Sequence, residues 1–172
     1  MDPRLKKPVK ALSAFVLACT TIAAHAQADK GGDDLDQKTS YAYVLTMDKI
    51  NKLADVRKVL GEWLENNEQA SKRIDDDKAL AEGTFAQRAR ALDIKHPEVA
   101  AIIRREGIST LEYMLANHVL LKAFMLVAAK KEGEIQDYSK AGGGVNPANL
   151  TFVEQHWEEI RKSMQKGIRI KM

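Results

Sequence analysis

The chain has 172 residues, with 27 Lys and Arg, 24 Asp and Glu, and a formal net charge of +3. That excess lies in the first 28 residues, where Arg4, Lys6, Lys7 and Lys10 stand against one acid, Asp2; removing them leaves 23 of each sign, so no charge for nucleic acid remains. The single cysteine, Cys19, excludes an intrachain disulfide, and stability has to come from packing.

The basic start is followed by an apolar stretch from Ala11 to Ala18 and then by Ala24-His25-Ala26 and Ala26-Gln27-Ala28. A charged region, a short apolar region and small-residue cleavage sites read as a cleavable signal peptide over residues 1–28, with Asp29 as the first mature residue. Cleavage after Ala26 is the neighbouring choice. The expected location is periplasmic or secreted. Val16-Leu17-Ala18-Cys19 offers an alternative, lipoprotein-type processing that would leave the protein anchored through an acylated Cys19, but Leu17 is bulky for that pattern.

Removal of 28 residues leaves 144, enough for one domain with its own core. Residues 29–40 are polar and carry two glycines, which predicts a disordered lead-in before a helical domain over 41–166. Thr46 is a good N-cap, and Met47, Ile50, Leu53, Val56, Leu60, Trp63 and Leu64 recur at helical steps, predicting a helix that ends near Asn66. Gly61 within it calls for a bend or a close neighbour.

The charged stretch 68–78 precedes an alanine-rich segment, 79–91, read as a second helix with Asp75, Asp76 and Asp77 at its N-terminus. His96-Pro97 opens a third helix and Gly107 closes it. Ser109-Thr110-Leu111-Glu112 has the capping-box pattern, which starts a fourth helix over about 110–131. That helix is apolar nearly all round, as a central bundle helix or a membrane span would be. Glu112, Asn117, His118 and Lys122 interrupt it too often for a span, so no transmembrane segment is expected after signal removal.

Gly133 ends the central helix, and the following stretch, with Gly142-Gly143-Gly144, reads as a flexible loop. Asn146-Pro147 opens a last helix through Leu150, Val153, Trp157, Ile160 and Met164, and residues 167–172 read as a frayed tail. The expected fold is all-α: a single-domain bundle of four to five helices around the central apolar one.

Little chemistry is written in these residues. His96, His118 and His156 lack the spacings that put two metal ligands on one helix face, so no metal site and no cofactor is predicted. The run of three aspartates lacks the calcium-loop pattern, the glycine run lacks a phosphate-loop context, and no nucleophile motif occurs, so no catalytic residue is assigned. Asn117 and His118 interrupt the most apolar helix; with Tyr113 and with Trp157 beside that helix, they are the candidate ligand-binding residues. The reading is a non-catalytic exported domain that binds a protein or a small apolar ligand. One alternative is a haem- or metal-binding bundle using His118 or His156 with Met114 or Met47, and another is an enzyme using Glu112, His118 or Lys122 in an inter-helix pocket.

Three patches carry a resemblance: His96-Pro97-Glu98-Val99, then Glu106 to Tyr113, and Val145-Asn146-Pro147-Ala148-Asn149-Leu150-Thr151-Phe152-Val153. With Tyr43-Val44-Leu45-Thr46 ahead of them, the chain from about Tyr41 to Met164 resembles small uncharacterised secreted or periplasmic all-α proteins of Gram-negative bacteria. The resemblance implies export and a helical domain, and it implies no activity.

Overall fold

The structure is a computed structural model that describes residues 30–138 and 144–165. The segment read as a signal peptide, Cys19, Gly142, Gly143 and the expected frayed tail lie outside the described residues. Among those described, every regular element is a helix, so the all-α reading holds. The segments are more numerous than the four or five expected, because two of the expected helices are each interrupted and two segments not expected to be helical form helices of their own.

The polar segment expected to be disordered is helical from its second residue: α1 spans Lys30–Ala42. Lys38 pairs with Asp34 at 2.8 Å, and the hydroxyls of Thr39 and Ser40 donate back to carbonyls four residues earlier. Its composition holds too little apolar surface to fold alone. The correction comes from a distant tie, since Asp36 accepts the backbone N–H of Phe85 through both carboxylate oxygens at 3.0 Å.

After an extended segment in which Leu45 is buried, Thr46 caps α2, Met47–Glu65, by accepting the N–H of Lys49. Of the expected stripe Ile50, Leu53 and Val56 are buried, with Ala54 beside them, while Met47, Leu60 and Trp63 are partly buried against the core, and the helix runs through Gly61 unbroken. The charged stretch then forms α3, Glu68–Asp75, which buries Ala70 and rests Ile74 on the core.

Where one helix over 79–91 was expected there are two: α4, the single turn Lys78–Ala81, and α5, Phe85–Lys95. Gly83 divides them in the left-handed region (φ 83°), and Thr84 then begins a new N-terminus with a reciprocal capping box to Gln87. Of the three aspartates, Asp77 does the capping, accepting the N–H of Ala79 at 3.0 Å. Its other contacts tie the next corner: Lys95 at 2.9 Å and buried His96 at 3.1 Å. The Lys95 hydrogen bond is the largest cause of a lowered Asp77 pKa.

Pro97 opens α6, Pro97–Arg105, which buries Val99, Ala100, Ile102 and Ile103, and Gly107 ends that corner at φ 74°. Helix α7 is Thr110–Lys131, with Ser109 accepting the N–H of Glu112 at 3.1 Å and Gly133 following at φ 79°. By length and composition α7 passes for a membrane span, yet it packs against α1, α2, α5 and α6.

The last expected helix is also divided, into α8, Pro147–Gln155, and α9, Trp157–Gln165. The interruption is one residue, His156 (φ −104°, ψ 20°), whose ring leans on Phe152 with centroids 4.8 Å apart. Both new helices belong to the same body: α8 packs on α7 and α9 on α2. The centre of the core is Ile50, Leu53 and Val56 from α2, Ile103 from α6, Leu120 and Val127 from α7, Val153 from α8 and Ile160 from α9.

Candidate functional site

Helix α7 positions three of the four residues singled out by sequence, and its geometry sends them in different directions. Adjacent residues on an α-helix are rotated by about 100°, so Asn117 and His118 face different neighbours. Asn117 turns to α2: its Oδ1 accepts from the guanidinium of Arg57, and its Nδ2 donates to the carbonyl of Tyr113 at 2.9 Å. An asparagine on an apolar helix is thereby satisfied from both ends of its amide. The Tyr113 ring is half-buried against the core.

His118 turns to α5. It meets the ring of Phe85 edge-on, with centroids 5.0 Å apart and planes at 67°. Burial, with the positive charges of Lys122 and Arg88, pushes its pKa down to about 4, so the imidazole is neutral at neutral pH. Arg88 lies over the same Phe85 ring, 4.5 Å from its centroid, and reaches Asp36 of α1 at 3.5 Å. Asp36, Phe85, Arg88 and His118 therefore form one small cluster joining α1, α5 and α7.

Trp157 belongs to neither group. It stacks on Phe124 at 4.3 Å between centroids with planes 13° apart, and the ammonium of Lys131 lies 5.6 Å from its ring. Phe124 is seven residues beyond Asn117, about 10 Å along the helix. The four candidates do not converge on one pocket. An open depression of roughly 500 Å³ lies instead beside α1, lined by Asp34, Gln37, Lys38, Tyr41 and Gly144, and shares no residue with them.

The residues of the enzyme reading are dispersed too. Glu112 and His118 are six positions apart, about 240° around α7. Glu112 accepts from the hydroxyl of Tyr43 at 3.3 Å and stands 3.9 Å from Lys49, whose ammonium also covers the Tyr43 ring at 4.1 Å. Burial, reinforced by the Glu112 charge, raises the Tyr43 pKa. Lys122 is exposed. For the cofactor reading, His156 sits near Glu159, with Nδ1 at 3.3 Å, and Met47 and Met114 pack on the core. Among the described residues no group of three or more His, Cys, Asp or Glu side chains is placed to hold a metal ion.

Two sets of functional-looking contacts escaped the sequence reading. Neither Arg57 nor Phe85 was singled out by sequence, although each holds one of the flagged α7 residues. Asn146 and Asn149 stood in a recognised patch, but their targets are the backbone of residues 41–45: Asn146 donates to Tyr41, and buried Asn149 bridges Tyr43 and Leu45. No family model matches the chain, and neither a curated protein nor a solved structure does.

Proposed function

We propose that this chain is an exported, non-catalytic helical domain, periplasmic or secreted, that works by presenting its surface to a partner protein. The observation that carries this reading is the division of labour on α7. Asn117 is engaged by α2, His118 by α5 and Glu112 by the segment before α2, so the polar groups of the central helix join the bundle together. Chemistry at a site needs several such groups convergent on one reacting atom.

Apolar side chains on the outside supply what a partner would meet. Ile94 is 67% exposed and Met125 62%, on different helices. Single exposed apolar residues are ordinary on any surface, so their role has to be read by experiment. That preference for a protein over a small apolar ligand rests on the placement of the large apolar groups outside.

The test is the intact mass of the protein purified natively from the exported fraction, under native and then denaturing spray. The expected native mass is that of a chain beginning near Asp29, alone or with whole protein subunits. A small-molecule excess lost on denaturation would overturn the protein-contact reading in favour of a ligand or cofactor. Glu substitutions at Ile94 and Met125 that leave both the thermal midpoint and every subunit association unchanged would count against those surfaces.

A further inference from the structure

We infer that α1 is a releasable strap: a helix clipped to a body that stays folded without it, with Asp36 as the clip. Three observations carry this. First, the described side chains of α1 contribute almost nothing to the core. Of residues 34–42 only Ser40 is buried, and the large apolar side chains in that stretch, Leu35 and Tyr41, are 58% and 49% exposed.

Second, among the described residues the ties between α1 and the body are polar and specific. Asp36 accepts the N–H of Phe85 at 3.0 Å, at the first position of α5, and stands 3.5 Å from Arg88. At the other end of α1, the amide of Asn146 donates to the carbonyl of Tyr41 at 2.9 Å. The bonds, charge-assisted at Asp36 and neutral at Asn146, hold a segment while made, but each depends on one side chain.

Third, the next residues of the chain are anchored independently. Leu45 is buried, and Asn149 holds the backbone on both sides of Val44. Opening therefore stops at Tyr43 and does not spread into α2. A polar 13-residue helix with two glycines is marginal by itself in water, so release and unwinding come together. Release uncovers the part of α7 on which α1 rests and takes the Asp36 carboxylate from Arg88, whose side chain is only 13% exposed and whose Nε has no hydrogen-bond partner. That loss keeps the closed form favoured and sets the clip's strength.

Native-state hydrogen exchange on the full exported chain, read by peptide mass, tests the strap. Amides of α1 are expected to exchange at least about 100-fold faster than those of α7, through an opening insensitive to low denaturant. Asp36→Ala should speed α1 exchange by a further tenfold or so; global unfolding starts from the same closed form, so α7 protection falls by at most the same factor and stays at least about 100-fold above that of α1. Asp34→Ala, which cuts an exposed pair on the outer side of α1, is the control and should do much less. If Asp36→Ala compromises expression, Asn146→Asp removes the donor to Tyr41 while keeping the oxygen that caps α8 at Ala148, and should loosen α1 in the same way. Amides of α1 and α7 that exchange at the same rate and with the same denaturant dependence in the parent chain would make α1 an integral part of the cooperative unit and overturn the proposal. An unchanged α1 in both variants would do so as well.

Discussion

Asn149 and Leu45 are 104 residues apart, yet the buried side chain of one completes the backbone of the other: Asn149 Oδ1 accepts the Leu45 N–H at 2.9 Å. Its Nδ2 donates to the carbonyl of Tyr43 at 2.7 Å, so one amide satisfies a backbone group on each side of Val44. Asn149→Ala orphans both and is expected to cost about 2–4 kcal/mol, seen as a lower urea midpoint at unchanged slope. Asn149→Asp keeps only an acceptor and buries a charge, so it should be at least as damaging. A loss below about 0.5 kcal/mol in both variants would show that this segment is held by Leu45 burial alone.

This contact also shows where the sequence could be read and where it could not. The bounds of α7 were legible because Ser109 and Gly133 mark them locally, and α2 because Thr46 precedes a regular apolar stripe. The break before α5 was legible in principle, since Thr84 and Gln87 have capping-box spacing, but the alanines around them blur any periodicity. Helix α1 was not legible at all: its decisive tie joins Asp36 to Phe85, 49 positions away, and no local pattern carries it. The candidate site divides in the same way. That Asn117 and His118 break an apolar helix is visible in the sequence, whereas their separate commitments to Arg57 and Phe85 are properties of packing.

His118 makes stability depend on pH. Its folded pKa, about 4, lies below the ordinary 6.5, so the unfolded chain binds more protons between those values and stability falls as pH is lowered through that window. Above pH 6.5 the contribution is complete; below about 4 it has been lost. Because the ring keeps some contact with water, the difference is discounted to roughly 1–2 kcal/mol. His118→Gln should flatten the curve of unfolding free energy against pH in this window relative to the parent. Parallel curves for the two proteins would refute the assignment.

Glu112 is split from its expected role. Ser109 accepts the Glu112 N–H, while the Glu112 carboxylate meets the Tyr43 hydroxyl. Ser109→Ala is therefore expected to cost about 1 kcal/mol, as loss of an N-cap does. Glu112→Gln should instead move the Tyr43 phenol: with the carboxylate charge gone it ionises at lower pH than before, yet still above the ordinary value, because burial is the larger cause and remains. Ultraviolet titration of the tyrosines, with Tyr43→Phe to assign the signal, reads this directly. A Tyr43 titration that does not move would mean the contact at 3.3 Å has no electrostatic consequence.

Trp157 is the flagged residue whose surroundings are most clearly structural. Its ring lies nearly parallel to Phe124, 4.3 Å away, at the start of α9, so the pair fastens the final helix to the central one. A double-mutant cycle with Trp157→Leu and Phe124→Leu should give a coupling of about 0.5–1.5 kcal/mol beyond the area each ring buries. The second tryptophan, Trp63, lies on α2, so the loss of emission in Trp157→Leu isolates the stacked ring. Phe124→Leu should then change the emission of Trp157 while leaving α2 in place. A coupling near zero, with emission unaffected, would free Trp157 from this structural duty and return it to the residues a partner could engage.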